Sequence, residues 1–549
     1  MTSKLPAFDF IQESHGDKNW FDATDRQVPI TSRADQYSAN PPLATHNSVT
    51  FAKPKIQVEI PPPIREAADV PTFPLELTPA LTFALWLTLE IIGILHVLHA
   101  LMHVRTSQGT IAWVISLVTF PYLAIPLYWL VGRSRFTGYV HGRRAGDSRL
   151  RKLAESMHQR MRHYAINIPD EDVFSKAAMF LGGLPFTRGN QLELLIDGEE
   201  MFERLFAEMR KAESYLCVNF YIVKNDRIGT RFQQAMVERA QAGVKVLFLF
   251  DEIGSHKLPR RYLRTLRQAG VECESFGTNR HWWSRLQVNF RNHRKIVVID
   301  GKSAFLGGLN IGDEYLGRDA RYGAWRDTHL QLRGPVVQAV QMVFLEDWFW
   351  ATARVPELHW NTYPETADQV AAIIPTGPAD PADSWQLVVA EAANSSRQRL
   401  WIASPYFVPD EGVLTALQAA AIRGVDVRIL IPERADHLLV WLSAFSYYEQ
   451  SIPYGIRLFR YQRGFLHQKV MLSDDRLAAV GTANLDNRSF RLNFEITAFS
   501  PDPGFVDEID HMLTVDFSHA REAAVEDFTR RSFLFRAACR AARLFAPIQ

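Results

Sequence analysis

The sequence predicts an α/β protein made of two pseudo-symmetric halves, preceded by a helical hairpin that is apolar enough to cross a membrane. One observation is a strand–helix–strand pattern that occurs twice, at residues 215–250 and again at 400–431. A second is a set of polar residues that recurs at the same spacing in both halves, and a third is a pair of long apolar segments near residue 100. Together they predict two αβα sandwich domains with parallel sheets.

Length and composition limit the classes of protein to consider. The chain has 549 residues, of which 47% are hydrophobic and 22% charged, a balance typical of globular domains. Lys and Arg number 61 and Asp and Glu number 60, so the net charge of +1 argues against a nucleic acid as partner. The three cysteines are far apart and form no Cys-x-x-Cys pair, so we expect no disulfide framework and no zinc ribbon.

Composition divides the chain into four regions. Residues 1–72 are rich in Pro, Asp, Ser and Thr without a helical period, and we expect a disordered polar extension there. Residues 73–135 are predicted to form two transmembrane helices. The first sandwich domain is assigned to residues 136–370 and the second, which ends in a basic segment, to residues 371–549.

The hairpin prediction rests on the apolar segments 80–103 and 111–131. Their 24 and 21 residues each exceed the roughly 20 that a helix needs to cross the hydrocarbon core. The second segment carries no charge, and Pro121 and Pro126 predict a kink in it. In the first segment we expect Glu90 to be neutral or paired against the partner helix.

A strongly basic stretch follows the hairpin. Residues 133–162 contain nine Lys and Arg against two acidic residues, whereas the loop between the apolar segments has only Arg105. The positive-inside rule therefore places both sandwich domains in the cytoplasm. The same basic stretch is expected to attract anionic headgroups at the membrane surface.

The repeated polar residues form one motif in each half. Each copy has a histidine, a lysine two residues later, an aspartate five residues after that, and an asparagine after a glycine-containing turn. From histidine to asparagine the separation is seventeen residues in both copies. A lone His-x-Lys would carry little information, but two complete copies indicate a functional site. The eight residues are His293, Lys295, Asp300 and Asn310 in the first half, and His467, Lys469, Asp474 and Asn484 in the second.

These residue types suit the exchange of a phosphodiester. If the halves face each other about a pseudo-twofold axis, two histidines, two lysines and two asparagines converge on a pocket for one phosphate. One imidazole can attack phosphorus while the other protonates the leaving alkoxide and later accepts a proton from the incoming alcohol. The attacking ring must be neutral and the other protonated, so their pKa values are expected to differ. We expect no metal or other cofactor, because no carboxylates are spaced to bind one.

A carboxylate is expected to orient each imidazole. The candidates are Asp327, 34 residues beyond the histidine of the first motif, and Glu495, 28 residues beyond that of the second. Asp300 and Asp474 are grouped with the catalytic residues, and a supporting role at turns outside the pocket remains the alternative.

The doubled motif resembles the phospholipase D superfamily, in which H-x-K-x-x-x-x-D and a following G-G/T-x-N occur twice in one chain. Segments 251–255, 307–315, 405–409 and 484–489, after an apolar hairpin, look like the bacterial cardiolipin synthases of that superfamily. The resemblance covers about residues 80–520. It implies phospholipase D-type domains at the bacterial inner membrane that convert two phosphatidylglycerol molecules into cardiolipin and glycerol through a phosphatidyl-histidine. Gly308 departs from the hydroxyl residue common elsewhere in the superfamily.

Other functions remain open at the level of sequence. Water in place of the second lipid would make a phospholipase D-type hydrolase, and phosphatidylethanolamine could replace phosphatidylglycerol in one role. A nuclease-like phosphodiesterase is disfavoured by the near-neutral charge and by the absence of an aromatic-basic track in the sequence. A catalytically inactive lipid-binding scaffold is disfavoured because both motifs are complete. The order in which the histidines act and the oligomeric state are left open.

Two further segments are candidates for contact with the membrane surface. Trp282 and Trp283 are flanked by basic residues and could form an interfacial lip, or alternatively pack in the core. Residues 530–545 combine arginines with large apolar residues, which indicates either a basic interfacial helix or an ordinary surface helix.

Overall fold

The computed structural model describes residues 78–104, 106–132, 148–277, 289–434 and 436–549. The predicted extension at 1–72, half of the basic stretch, and Trp282 with Trp283 lie outside the described residues. The α-helices are α1 (Pro79–His103), α2 (Ser107–Thr119), α3 (Pro121–Leu127), α4 (Ser148–Arg162), α5 (Val173–Gly182), α6 (Asp197–Arg210), α7 (Arg227–Gln241), α8 (Arg260–Gln268), α9 (Val336–Thr352), α10 (Ser384–Ser395), α11 (Glu411–Ile422), α12 (Leu438–Phe445), α13 (Tyr448–Ser451), α14 (Asn487–Arg491), α15 (Pro503–Ser518), α16 (Glu526–Thr529) and α17 (Phe533–Arg543). The strands are β1 (Thr187–Ile196), β2 (Tyr215–Phe220), β3 (Lys245–Asp251), β4 (Glu272–Phe276), β5 (Arg291–Asn292), β6 (Ile296–Ile299), β7 (Ser303–Gly307), β8 (Trp325–Arg326), β9 (Thr328–Arg333), β10 (Gln369–Thr376), β11 (Arg399–Ala403), β12 (Phe407–Val408), β13 (Asp426–Pro432), β14 (Arg457–Tyr461), β15 (Phe465–Leu466), β16 (Val470–Ser473), β17 (Leu477–Gly481), β18 (Leu485–Asp486), β19 (Asn493–Ser500) and β20 (Ala520–Glu522).

The two halves contribute equivalent strands to one continuous sheet. The first half-sheet runs in the order β1-β9-β7-β6-β2-β3-β4, and the second runs β10-β19-β17-β16-β11-β13-β14 with β20 at its edge. The half-sheets join where β1 pairs antiparallel with β10, with Thr187 opposite Ala371. The repeat seen in the sequence is therefore a repeat of topology. The boundary placed between residues 370 and 371 falls inside β10.

The prediction of parallel sheets is right for only part of each half. Strands β2, β3 and β4 are parallel, as are β11, β13 and β14, which follows from the strand–helix–strand pattern. The sheets are mixed, however, because β6 and β7, and likewise β16 and β17, form antiparallel hairpins. The turn of each hairpin starts at an aspartate, Asp300 or Asp474, with a φ of 52°. This left-handed conformation is tolerated better by aspartate than by most other residues.

Helices cover both faces of the sheet, so each half has three layers. One face packs in a core shared by both halves, to which α9 and α15 contribute; Val340 lies in it. The opposite face packs under α6 and α7 in the first half, around Phe232, and under α10 and α11 in the second, around Leu417. Side chains alternate between the faces, so Cys217 of β2 lies in the shared core and its neighbour Leu216 in the outer one.

The apolar hairpin differs from its prediction in the second segment. Helix α1 has 25 residues, and among the described residues it is the one helix with both the length and the composition to cross a membrane. The second segment is broken at Phe120, whose φ and ψ are −140° and 59°, and a new helix starts at Pro121. Proline has no N–H to donate and disfavours the helical conformation of the preceding residue. The expected kink is thus a break, followed by a π-helical turn at Tyr128–Gly132.

Polar contacts nevertheless hold the two apolar segments together. The indole N–H of Trp129 donates to Nε2 of His96 at 2.7 Å. Nδ1 of His99 lies 2.7 Å from the Tyr128 hydroxyl. Gly93 of α1 faces the backbone of Leu117 so closely that a Cβ would lie 2.6 Å from its carbonyl oxygen. The segments therefore pack as a helical pair, although the second is interrupted.

Candidate active site

Two short ladders between the halves position the histidines. Strand β5, which leads to His293, pairs in parallel with the start of β19 in the second half. Strand β15, which leads to His467, pairs in parallel with β8 in the first half. The ladders end with the histidine N–H groups donating to Phe494 O at 3.0 Å and to Arg326 O at 2.8 Å, respectively. The backbone of each histidine is therefore held by the other half.

The same ladders bring a buried carboxylate to each imidazole. Oε2 of Glu495 lies 2.9 Å from Nδ1 of His293, and Oδ2 of Asp327 lies 2.7 Å from Nδ1 of His467. The sequence suggested these two carboxylates but counted each from the histidine of its own half. The pairing is instead crossed, because each ladder joins strands of different halves. Among the described residues no hydrogen bond engages Nε2 of either ring, so this is the nitrogen available for attack on phosphorus.

The lysines of the two motifs are buried beside their histidines. Lys295 donates from Nζ to the His293 carbonyl at 2.6 Å. Lys469 donates to the His467 carbonyl, and its Nζ lies 2.9 Å from Nδ1 of that ring. Residues 293–295 and 467–469 lie between two strands rather than within one. Two buried ammonium groups near one another are what a phosphate anion would neutralise.

The residue between histidine and lysine points away from the site. Arg294 donates to Oδ1 of Asp347 in α9 at 2.6 Å, and Gln468 donates to Oδ2 of Asp516 in α15 at 2.9 Å. Both helices belong to the layer that the two halves share. The side chains therefore alternate along each His-x-Lys segment, with the middle residue directed to a buried acid on the other side.

Burial dominates the electrostatics of the site. It lowers the pKa of His293 and of His467 to about 4 each, against the opposing effect of their carboxylates. It also lowers the pKa of Lys295 well below its ordinary value and that of Lys469 to about 8. Both imidazoles are thus neutral at pH 7. The protein lowers the two histidine pKa values alike, whereas the sequence argument expected them to differ.

The asparagines of the motifs are buried and fixed by neighbouring groups. Oδ1 of Asn310 accepts from the Ile222 N–H at 3.1 Å, while its Nδ2 donates to the Tyr315 hydroxyl at 3.0 Å. Nδ2 of Asn484 donates to Asp486 at 3.2 Å. Each amide nitrogen carries two N–H donors, so each retains one for a ligand. Their role in binding phosphate stays a prediction.

Asp300 and Asp474 do not lie with the other motif residues. Each is separated from its lysine by a four-residue strand, β6 or β16, which places it about 16 Å further along the sheet. Each carboxylate instead accepts three backbone N–H groups at the start of a neighbouring strand, which favours the alternative of a supporting role at a turn outside the pocket. The donors are Glu213, Ser214 and Tyr215 for Asp300, and Arg397, Gln398 and Arg399 for Asp474.

Sequence reasoning missed the side chains that hold Glu495. Its carboxylate accepts from the Thr482 hydroxyl at 2.6 Å, from the Ser489 hydroxyl at 2.9 Å and from Nδ2 of Asn493 at 3.1 Å. With the imidazole of His293, four donors surround this one buried acid. Thr482 lies inside the repeated motif, so its position in the G-G/T-x-N segment was the signal that could have identified it.

The first half has no hydroxyl at the equivalent position. Gly308 occupies the place that Thr482 has in the second half, and a Cβ there would lie 2.0 Å from Oδ1 of Asp327. The departure from the superfamily pattern therefore has a steric reason, since only glycine leaves room for this carboxylate. Asp327 accepts instead from the backbone N–H of Thr328 at 2.8 Å.

Aromatic rings pack against both imidazoles. The ring of Tyr221 lies 5.0 Å from that of His293, and the ring of Trp325 lies 5.2 Å from that of His467. In the part of the chain that the structure describes, no three His, Cys, Asp or Glu side chains are arranged to hold a metal ion. A reaction without metal stays a prediction from the sequence.

Comparison with known proteins bears on the family and the fold of the chain. The family model described as "Cardiolipin synthase, PLD-like domain" matches residues 205–348 and 389–516, one segment in each half. Proteins named cardiolipin synthase A from Pseudomonas putida F1 and Pseudomonas fluorescens Pf-5 are 45% and 43% identical to the chain over 84% of its length and 97% of theirs. The crystal structure of a phosphatidylserine synthase from Haemophilus influenzae Rd KW20 is similar in fold. Its TM-score is 0.52 at 16% identity, over 68% of this chain and all of that one.

Proposed function

The chain belongs to the bacterial cardiolipin synthase family of the phospholipase D superfamily, and from that premise we propose that it converts two phosphatidylglycerol molecules into cardiolipin and glycerol through a phosphatidyl-histidine. The observation that carries this proposal is the crossed pairing of His293 with Glu495 and of His467 with Asp327. It leaves Nε2 of both imidazoles without a hydrogen-bond partner among the described residues, and the two rings, held from opposite halves, lie beside two buried lysines.

In the first step Nε2 of one histidine attacks the phosphorus of a phosphatidylglycerol. The P–N bond forms as the bond from phosphorus to the glycerol headgroup breaks, and the other imidazolium gives its proton to the departing glycerol oxygen. The lysines and the asparagine amides donate to the non-bridging oxygens. The proton donor needs a pKa well above 4, and the negative charge of the phosphodiester raises it in the direction required.

In the second step a hydroxyl of another phosphatidylglycerol attacks the phosphatidyl-histidine. The imidazole that gave up its proton now accepts one from this hydroxyl, the P–O bond forms, and the P–N bond breaks. The first histidine is neutral again, and the second is an imidazolium for as long as a phosphodiester stays bound; it releases that proton when cardiolipin leaves and takes one up with the next substrate. Each proton and electron pair is accounted for by the two rings and the two lipids, which is why a pair of histidines suits an exchange reaction.

The substrate places the reaction at a bilayer surface. Each buried CH₂ of a lipid chain is worth about 0.8 kcal/mol, so a diacyl lipid does not leave the membrane readily. We therefore propose that α1 and the interrupted second segment anchor a multi-pass protein in the bacterial inner membrane. Both halves would then lie on the cytoplasmic side, next to the basic stretch at 133–162.

Product analysis tests the proposal directly. The purified full chain is supplied with labelled phosphatidylglycerol in detergent, without divalent metal, and the lipids are separated. Cardiolipin and glycerol in equal amounts are expected. Phosphatidic acid as the one labelled lipid product would instead establish a hydrolase and overturn the proposal. A preparation carrying His467→Ala, expressed and purified in parallel, shows which products depend on this site.

A further inference from the structure

Helix α17 near the C-terminus presents an apolar face away from the protein. Leu534 and Leu544 are 78% and 80% exposed, whereas Cys539 and Ala542 on the opposite side are buried. A helix in water normally exposes a polar face, so large apolar residues on the exposed face of this helix are unusual. We call the exposed apolar residues of this region the C-terminal patch: Phe533, Leu534, Ala537, Ala538, Ala541, Leu544 and Phe545.

Arginines border the C-terminal patch. Residues 530–549 contain five arginines and no acidic residue. Arg540 pairs with Glu449 at 3.2 Å but is still mostly exposed. Arg530 and Arg531 are exposed at the start of the patch, and no described carboxylate forms an ion pair with either. Apolar residues edged by arginine are typical of helices that lie in the headgroup region of anionic membranes.

The start of α17 packs against helix α12, which begins close to the second half of the site. Phe535 packs on Trp441 and Phe445 of α12, with ring centroids 6.2 Å and 5.4 Å apart. Helix α12 begins two residues after Asp436, whose carboxylate accepts from the Tyr406 hydroxyl at 2.5 Å. Asp436 is close enough to Lys469 to raise the pKa of that buried lysine. The patch therefore begins beside the second half of the site.

The end of the chain is attached to the opposite side of the site. The Arg488 N–H donates to the carbonyl oxygen of Gln549 at 2.8 Å. The guanidinium of Arg488 in turn donates to the carbonyl oxygen of Asn289 at 2.8 Å, four residues before His293. The segment that carries the C-terminal patch thus extends between residues next to both motifs.

We propose that the C-terminal patch inserts into the headgroup region of an anionic bilayer and holds the mouth of the site against the membrane. This inference rests on the proposed function, because a diacyl substrate stays in the membrane and the site must therefore open toward the lipid. A second copy is a poorer occupant, since pairing two such patches would bring the arginine-rich segments of both chains together without a counter-charge. Anionic headgroups supply that charge.

Insertion is tested with the full chain in vesicles of phosphatidylglycerol and phosphatidylcholine. The variant Leu534→Cys carries an environment-sensitive fluorophore, and lipids with a spin label high on the acyl chain act as quencher. Gln241→Cys is the matched control, because Gln241 is exposed at the end of α7. The whole length of β3 separates it from Asp251, which accepts from the Asn292 N–H next to His293. Labelled unsubstituted protein is the blank, since Cys217, Cys273 and Cys539 are buried. Strong quenching at 534 and none at 241 is expected.

Two other outcomes of that experiment overturn the proposal. Equal quenching at both positions, or none at either, would show that the patch does not enter the bilayer. Disulfide cross-linking between two copies through the cysteine at 534, without quenching, would assign the patch to a dimer interface. Neither outcome depends on whether the protein makes cardiolipin, so this experiment tests insertion of the patch independently of the proposed function.

Kinetics provide the second readout. The double variant Leu534→Gln/Leu544→Gln is compared with Ile422→Gln, an exposed apolar residue at the end of α11. We expect the double variant to raise KM for vesicle-embedded phosphatidylglycerol about tenfold and to leave turnover of a soluble short-chain phosphatidylglycerol unchanged, with an unaltered melting temperature. An equal loss with both substrates, or in Ile422→Gln as well, would contradict membrane docking by this patch.

Discussion

The two halves of the active site hold their imidazoles by the same bond but surround the carboxylates differently. Glu495 has a longer side chain and accepts from Thr482, Ser489 and Asn493 besides His293. The shorter Asp327, on the other side, fits only because Gly308 has no side chain. Both halves therefore keep a carboxylate that contacts Nδ1 of the histidine in the other half. The side chains around the two carboxylates differ.

This difference has an electrostatic consequence. Burial raises the pKa of both carboxylates, but the neighbouring histidines and lysines outweigh it and leave both pKa values below the ordinary ones. Both acids therefore stay ionised in the core at pH 7. Glu495 accepts from four side chains, whereas the side-chain donors of Asp327 are His467 at 2.7 Å and the Trp325 indole at a longer 3.4 Å, beside the Thr328 N–H. The two halves should consequently tolerate substitution to different degrees.

The largest expected effect comes from removing either ring. His293→Ala and His467→Ala should each reduce cardiolipin formation by about 10⁴-fold, because one ring forms the covalent bond and the other moves the protons. The fold should persist, since each backbone is held by its ladder, and circular dichroism provides the control. Turnover near that of the parent enzyme in either variant would show that the reaction does not need two histidines.

Removing one carboxylate charge should cost less and distinguish the halves. We expect Asp327→Asn to lower kcat about 100-fold and Glu495→Gln about tenfold, because three side-chain donors still hold the amide at 495 in place. The carboxylates raise the histidine pKa, so losing one lowers it further and shifts the limb of the kcat profile that this histidine controls to lower pH: the acid limb if the ring is the nucleophile, the alkaline limb if it is the proton donor. Equal losses, or a shift to higher pH, would contradict the difference drawn between the halves.

The residue types of this site could be predicted from sequence, but their pairing could not. The motif repeats in full, and this repetition identified His293 and His467 as a pair. The crossing of Glu495 and Asp327 depends on β5 and β15, which are two residues long and carry no hydrophobic pattern of their own. Sequence separation suggested partners within one half, whereas the ladders join the halves.

The errors in the fold have similarly local causes. The strand–helix–strand pattern predicted the parallel strands correctly, but the hairpins at Asp300 and Asp474 depend on turns that a search for hydrophobic runs does not register. In the apolar hairpin, hydrophobicity predicted one helix where Pro121 starts a new one. In each case one turn or one helix-breaking residue determined the local structure, which the average hydrophobicity of the segment does not reveal.

Exchanging the neighbours of the carboxylates tests whether the two arrangements are interchangeable. Gly308→Thr should lower kcat about 30-fold, because its Cβ displaces Asp327 and with it the ring of His467. Thr482→Ala should lower kcat only about fivefold, since it removes one of several hydrogen bonds worth about 1 kcal/mol each.

The double variant Gly308→Thr/Asp327→Glu reproduces the pair found in the second half. It should recover part of the activity lost in Gly308→Thr, and the same assay on Asp327→Glu alone is the control. If Gly308→Thr is as active as the parent, the steric account of Gly308 is wrong.

The smallest effect on kcat is expected for the two turn aspartates, whose backbone contacts are nearly the same in both halves. Asp474→Asn should reduce stability by about 1–3 kcal/mol and leave kcat within about twofold of the parent, because the carboxylate accepts from backbone N–H donors.

The stabilisation by Asp474 should depend on pH. Burial raises the pKa of Asp474, but those donors outweigh it and hold the pKa below the ordinary value. The stabilisation is therefore complete above about pH 4 and is lost as pH falls through the lowered pKa. Melting temperatures of parent and Asp474→Asn should converge in acid. Asp300→Asn should also lower stability and leave kcat near that of the parent, because it likewise loses a carboxylate that accepts three backbone donors. A large fall in kcat at unchanged melting temperature would return these aspartates to the catalytic group.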